Sequence, residues 1–376
     1  MRIIVLGAGR VGAAMARDLA ADEAFDVTVA DRDPNRLEWL ESSFGIRGER
    51  FDASVSSTVG RAIADADLVI SAVPGFLGHR TLATILEAGK SVVDIAFFPE
   101  DPFTLDELAK RMQATAIVDC GVAPGLSNLL VGYAVGDLDR ADRVEIYVGG
   151  LPADPQPPYE YRAVFSPIDV IEEYTRPARF IHEGRLVTKP ALTDIEQLDF
   201  PVVGRLEAFI TDGLRTLMQT IDCPQMIEKT LRYPGHAEKM QLLRETGFFS
   251  EAPIEIDGRE IRPIDVSTAL LFPLWQLREG EEDITVLRVI VEGEKDGDRL
   301  CRTFDLVDRL NRPSGVTSMA RTTGYMATVA ARFLASGGVP ESGIFAPEML
   351  AGIPGAVDFI LSGLRQRGIA IEETVS

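Results

Sequence analysis

Cysteine and histidine are scarce in this chain of 376 residues. There are three of each: Cys120, Cys223 and Cys301, and His79, His182 and His236. Three scattered thiols give neither a disulfide framework nor the paired spacing of a zinc site, and the isolated histidines add no ligand set. A metal centre is therefore not expected, and a reducing, cytoplasmic setting is. No apolar run is long enough to span a bilayer, so no membrane association is expected. Positive charge is also in short supply, with 38 Lys and Arg against 58 Asp and Glu and a formal net charge of −20. That balance argues against nucleic-acid binding, which needs a basic surface. Hydrophobic residues, at 46%, are ample for a core, and the length suits two domains.

The information is concentrated at the start. Residues 2–6 (RIIVL) read as a short buried strand, followed by Gly7-Ala8-Gly9-Arg10-Val11-Gly12 and a helix-like stretch from Ala13 to Ala21. A second apolar run, 25–30, ends at Asp31. Strand, G-x-G-x-x-G loop, helix, strand and acid are the parts of a dinucleotide-binding βαβ unit. Gly7 permits the tight turn, Gly9 the approach of a pyrophosphate, and Gly12 the close packing of helix on strand. The helix N-terminus faces the phosphates. Asp31 is expected to accept from ribose hydroxyls and to repel a 2′-phosphate, which favours NAD. Arg32, a guanidinium beside it, leaves NADP possible.

Alternation continues, with helices expected over 34–44, 56–64, 79–88 and 105–112, and strands over 67–72, 90–94 and 116–119. The fold expected is α/β, a doubly wound parallel sheet. Ligands in such sheets lie at the carboxyl ends of strands, where Ala72, Val73, Pro74, Asp94 and Asp119 fall. From about residue 144 short strands and helices mix, as in an α+β domain. Residues 294–298 (EKDGD) read as a hairpin turn, and 317–335 as a long helix. The expected division is 1–125 for the dinucleotide domain, 126–312 for an α+β substrate and oligomerisation domain, and 313–376 for helices returning to the first.

Two segments carry candidate chemistry. Asp119 to Asn128 (DCGVAPGLSN) forms a rigid turn, with Ser127 or Asn128 as cap of a helix over 129–135. Either a site beside the nicotinamide or a domain hinge accounts for it. Lys229 to His236 (KTLRYPGH) is a dense polar cluster in which an Arg could hold a carboxylate and a Tyr or His could assist proton transfer.

Those two segments, with Tyr174 to Ala178 (YTRPA) and Thr317 to Ala327 (TSMARTTGYMA), resemble the saccharopine dehydrogenase family, and within it the lysine 6-dehydrogenase branch. The family pattern commonly has Pro where this chain has Met326. The resemblance implies NAD(P)-dependent oxidative deamination of the side-chain amine of L-lysine or a close amino acid, giving a semialdehyde that cyclises. It implies a homodimer or homotetramer. The reaction needs a base near the amine and an anchor for the distal carboxylate. Candidate catalytic residues are Asp119, His236 and Asp94. Candidate substrate contacts are Arg232, Tyr233, Tyr161, Cys120 and Thr322. Alternatives are a saccharopine- or carboxynorspermidine-type oxidoreductase, which differ in how many carboxylates the cations must meet, and a non-enzymatic NAD-binding sensor.

Overall fold

The computed structural model describes residues 1–278 and 280–376. Along the chain, β1 (Arg2–Leu6), α1 (Arg10–Ala20), β2 (Asp26–Asp31), α2 (Pro34–Phe44), β3 (Arg47–Arg50), α3 (Ser56–Ala62), β4 (Leu68–Ser71), α4 (Gly75–Glu87), β5 (Ser91–Asp94), α5 (Asp106–Arg111), β6 (Thr115–Ile117) and α6 (Leu126–Val135) alternate. Then come β7 (Arg140–Pro152), α7 (Pro167–Thr175), β8 (Ala178–His182), β9 (Arg185–Lys189), β10 (Glu196–Phe200), β11 (Gly204–Ile210), α8 (Leu217–Thr220) and β12 (Gln225–Arg232). These are followed by α9 (His236–Thr246), β13 (Ile254–Ile256), β14 (Arg259–Ile261), α10 (Pro263–Trp275), β15 (Asp283–Lys295) and β16 (Asp298–Arg309). Last are α11 (Ser318–Ala335), β17 (Gly343–Phe345), α12 (Pro347–Leu350), α13 (Ala356–Gln366) and β18 (Glu372–Val375).

The chain forms two compact units. The first holds residues 1–138, 219–221 and 320–371, and its sheet runs β17-β6-β5-β4-β1-β2-β3 with every pairing parallel. This is a doubly wound order whose reversal lies between β1 and β4, the position where such sheets bind ligands. Buried Ile4, Leu6, Val69, Val92 and Ala116 fill one layer beneath α3 and α4, which is why these strands read as unbroken apolar runs. Helices α1, α11 and α13 are tied together by Asp18, whose carboxylate accepts from Thr328 Oγ1 (2.6 Å), Arg332 Nη1 (2.8 Å) and Arg367 Nε (2.7 Å).

Two local expectations change here. Residue 119 does not extend β6: Val118 N donates to Phe345 O (2.9 Å), and Asp119 then turns into the left-handed region at φ 49°. Nor does α6 start after a Ser127 or Asn128 cap. It begins at Leu126 behind Gly125, whose φ of 137° and approach to Gly121 admit no side chain. Asn128 Oδ1 instead reaches back to Gly125 N (3.3 Å) and accepts from Ser127 Oγ (2.9 Å).

The second unit holds residues 139–218, 222–319 and 372–376. Its mixed sheet runs β10-β11-β12-β7-β15-β16-β18, with β8 and β9 attached to β12. Among the described strands of this sheet, only β12 and β7 pair in parallel. The β15–β16 hairpin closes at Asp296 and Gly297, both at positive φ as a two-residue turn requires, and is longer than the alternation suggested. An aromatic core of Tyr161, Tyr174, Phe209, Phe249 and Trp275 lies between α7, α9 and α10. Among the described residues, no helix is long and apolar enough to cross a membrane, and no group of three or more His, Cys, Asp or Glu could hold a metal ion.

Candidate active site

The glycine loop is built so that a side chain at two of its positions would collide with backbone. A Cβ on Gly12 would lie 2.0 Å from Gly7 O, and one on Gly7, at φ 107°, would lie 2.6 Å from Ala72 O. Ala72, Val73 and Pro74 follow β4, and Ala72 N donates to Leu6 O (2.8 Å), which sets this segment against the loop. A Cβ on Gly9 meets nothing nearer than Arg36 Nη1 at 3.9 Å, so that face stays open to a phosphate. Arg10 and Val11 open α1 with no acid in the first turn to offset its positive end. These residues fit a dinucleotide.

Asp31 is not a free acceptor. Its Oδ2 takes Ala8 N (2.6 Å) and its Oδ1 takes Asp33 N (2.8 Å), so the carboxylate braces the loop. Arg32 is exposed, and Arg36 pairs with Asp33 at 3.4 Å. Sequence reading missed Arg36; its place on the first turn of the helix after Asp31 was the available signal.

A second cluster lies at the ends of β5 and β6. Asp94 is buried, with Oδ1 accepting from Ala96 N (3.0 Å), and its carbonyl receives Cys120 N (3.0 Å). Asp119 and Cys120 are buried beside it. Burial first, then the charges of Asp119 and Asp94, push the Cys120 thiol well above its ordinary range, so it stays protonated. Thr322 is buried on α11 in this same unit, next to Thr323, which lies 3.3 Å from a Cβ placed on Gly121.

The third cluster belongs to the second unit. Arg232, at the end of β12, is 1% exposed. It pairs with Glu173, donates through Nη1 to Leu231 O (2.9 Å) and through Nε to Tyr174 Oη (3.4 Å), and lies 4.7 Å over the Tyr161 ring. His236 starts α9 fully buried. Its Nδ1 is 2.8 Å from Tyr159 O, which can only accept, so Nδ1 carries the proton and Nε2 accepts from Tyr174 Oη (2.9 Å). Burial, then the Arg232 charge, lowers the His236 pKa to about 3. A neutral imidazole whose lone pair is already used is a poor base at ordinary pH.

Tyr233 does not join this group. It is one residue beyond Arg232, its hydroxyl donates to Pro152 O (2.9 Å), and its ring packs with Tyr147, Leu151 and Leu231 in a separate cluster, as the alternation of side chains along a strand dictates. Tyr174, which the sequence offered only as part of the YTRPA motif, and Glu173, Tyr159 and Trp275, which were not among the candidate site residues, complete the third cluster. Only tertiary folding assembles them, because Trp275 is some forty positions from His236. Among the described residues, Tyr161 Oη and Trp275 Nε1 find no hydrogen-bond partner.

Residues 3–117 match the model of the saccharopine dehydrogenase NADP binding domain, and residues 121–369 that of the saccharopine dehydrogenase C-terminal domain. The chain belongs to the saccharopine dehydrogenase family. It is an oxidoreductase with a nicotinamide-dinucleotide domain. It is 24% identical to saccharopine dehydrogenase [NADP(+), L-glutamate-forming] of Schizosaccharomyces pombe over 451 aligned positions, covering 99% of this chain and 98% of that one. Carboxynorspermidine synthase of Vibrio cholerae is 24% identical, covering 93% and 92%. The apo saccharopine dehydrogenase (L-Glu forming) structure from Saccharomyces cerevisiae superimposes with a TM-score of 0.82 at 21% identity, covering 100% and 99% of the two chains, which establishes the shared fold.

Proposed function

We propose that this chain catalyses NAD(P)-dependent oxidative deamination of the side-chain amine of L-lysine or a close amino acid with one carboxylate at the far end. The observation that carries the choice of a small substrate over saccharopine is the state of its arginines. Saccharopine has three carboxylates and calls for several convergent cations. Arg162 is spent on Glu281 (3.0 Å) and Leu274 O (3.0 Å), and Arg244 reaches Ala191 O and Tyr174 O (3.4 Å). Arg321 donates through Nη2 to Arg367 O (2.8 Å). Arg232 keeps two of its five N–H groups after its bonds to Glu173, Leu231 O and Tyr174, enough for one carboxylate.

In this reading Gly7, Gly9, Arg10, Val11 and Gly12, with Ala72 to Pro74, hold the cofactor, whose nicotinamide supplies the hydride acceptor. Asp119 accepts the proton that the amine must lose, with Asp94 beside it. His236, held neutral, is reassigned from base to support of Tyr174 and Arg232. Cys120, a protonated thiol, lines this region without attacking. Tyr161 and Thr322 are further contacts. For the cofactor, NADP is favoured over the NAD expected from Asp31. One oxygen of that carboxylate is bonded to Ala8 N of the glycine loop and the other to Asp33 N, and Arg32 and Arg36 supply cations for a 2′-phosphate.

The test is reduced-cofactor formation with L-lysine, saccharopine, ornithine and diamines, each with NAD and NADP. Turnover of L-lysine with little from saccharopine is expected. Preferential turnover of saccharopine would overturn the choice of substrate and leave the family chemistry intact.

A further inference from the structure

The ion pair of Arg232 and Glu173 is built at odds with its surroundings. Glu173 stands in the last turn of α7, where the negative end of the helix dipole disfavours an acid. Two charges taken out of water are costly unless their remaining donors and acceptors are satisfied. Here they are not. Glu173 meets Arg232 through Oε2; its Oε1 takes no hydrogen bond among the described residues, and the side chain is 21% exposed. Arg232 has two N–H groups left over. Tyr161 Oη, whose ring lies under the guanidinium, is buried and unbonded among the described residues. Several donors and one acceptor therefore stand unused at one place in the second unit.

The charge of the cluster narrows what can fill it. Arg232 and Glu173 cancel. Burial keeps the Tyr161 and Tyr174 phenols protonated and His236 neutral. Other neighbours are acidic. Glu207 lies opposite Arg232 across the strands, its carboxylate accepting from Gly235 N (2.8 Å) and Ala237 N (2.5 Å) at the start of α9. Asp169 acts on Glu173 from the first turn of α7. Lys239, the other cation that acts on His236, is paired with Glu160. A lone carboxylate adds net negative charge to a desolvated and already acidic place, and a lone ammonium adds positive charge beside Arg232. A group that carries both adds none.

We infer that Glu173 is a specificity-determining residue that accepts from the α-ammonium of the substrate, so that Arg232 and Glu173 together select an α-amino-acid head. In such a head the ammonium and the carboxylate hang from one carbon, as Arg232 Nη2 and Glu173 Oε2 stand bonded side by side. The carboxylate takes the two remaining N–H groups of Arg232 and the Tyr161 hydroxyl, and Glu173 Oε1 takes the ammonium. This rests on the proposed oxidation of a side-chain amine and deepens it: the far end must be a whole α-amino acid, and a bare acid does not suffice. An acid without the α-amine leaves Glu173 Oε1 unpaired and the cluster charged, and a diamine leaves Arg232 unpaired.

The experiment compares wild type, Glu173→Gln and Glu173→Asp on two pairs of ligands. L-lysine and 6-aminohexanoate, which differ only in the α-amine, are followed by steady-state kinetics. L-norleucine and hexanoate, which lack the reacting amine, are followed by calorimetric binding. Wild type is expected to favour the α-amino acid of each pair by about a hundredfold or more. Glu173→Gln removes the acceptor charge and leaves Arg232 for a bare acid to neutralise. Its KM for L-lysine should rise about a hundredfold with a far smaller change in kcat, while 6-aminohexanoate and hexanoate bind more tightly than to wild type. A merely structural role does not produce that opposite response. Far-UV circular dichroism checks the fold of Glu173→Gln. Glu173→Asp keeps a charged partner for Arg232 and carries the test if Gln does not fold: it should raise the KM for L-lysine about tenfold and leave 6-aminohexanoate unchanged. A loss by the same factor for both members of a pair, or a wild type that accepts both equally, overturns the inference. A wild type that prefers L-norleucine through Glu173 but does not oxidise L-lysine overturns the proposed reaction and supports the role of Glu173.

Discussion

Tyr161 and Tyr174 occupy one aromatic cluster yet stand in opposite chemical positions. Tyr174 Oη joins His236 to Arg232, whereas Tyr161 Oη has no hydrogen-bond partner among the described residues. Removing a bonded buried hydroxyl strands its partners; removing an unbonded one relieves a desolvation cost. Tyr174→Phe should therefore cost about 1–3 kcal/mol in urea unfolding, and Tyr161→Phe should be neutral or stabilising. Asp119→Asn, under the proposed chemistry, should lower kcat by about a hundredfold or more with little change in dinucleotide affinity. Arg36→Ala should raise the KM for NADP about tenfold and leave that for NAD unchanged, since one charge-assisted contact is at stake. Equal effects on both cofactors would remove Arg36 from the 2′-phosphate. The glycine loop was legible at this scale because backbone geometry restricts those positions to one residue type. The bracing role of Asp31 was not, because a sequence records an acid and not what its oxygens already hold.

Among the elements, strand β12 shows a pH response of its own. Glu228 is buried, accepts from Thr211 Oγ1 (2.5 Å) and Gly213 N (3.1 Å), and burial raises its pKa to about 8. The folded state holds this proton after the unfolded chain has released it near 4.5. Its contribution to stability is full below 4.5 and is lost as pH rises through 8. His236 works in the other direction. With a folded pKa near 3 against 6.5 unfolded, it leaves stability intact above 6.5 and erodes it as pH falls toward 3. Thermal melts of Glu228→Gln should lose the decline in Tm between pH 5 and 8.5, whereas the acid limb should persist. An unchanged alkaline limb would mean that Glu228 is ionised in the folded protein. Sequence reading found the strands that are buried runs and the helix of α11, and missed β3 (RGER) and β17 (GIF). The first is a charged edge strand with no apolar pattern, and the second is three residues paired with β6, more than two hundred positions away.

For the whole molecule, the doubly wound sheet was readable from alternation, and the mixed character of the second sheet only from the point where alternation stopped. The orders of strands and the grouping of Tyr161, Tyr174, His236 and Trp275 come from long-range pairing, which local pattern does not encode. Asp18 is the residue whose loss should be felt most widely in the first unit. Asp18→Asn weakens the ties to Thr328, Arg332 and Arg367 together and should lower Tm by several degrees, with the 343–371 region gaining amide exchange first. Uniform exchange throughout the unit would show instead that α1, α11 and α13 open only with the rest.

The first sheet is made of strands β1 to β6 and of β17, and the whole of residues 139–218 and 222–319, which form the other unit, lies between them in the chain. During synthesis the ribosome therefore delivers six strands of a seven-stranded sheet and then some two hundred residues of a different unit before it delivers the seventh, and the helices that Asp18 grips arrive equally late. The β6 edge, with its unpaired amides and carbonyls, must wait through that interval. A nascent chain of this protein should consequently engage chaperones during the middle of its translation, and ribosome-bound intermediates stalled near residue 320 should be more protease-sensitive in residues 1–138 than those stalled past 371.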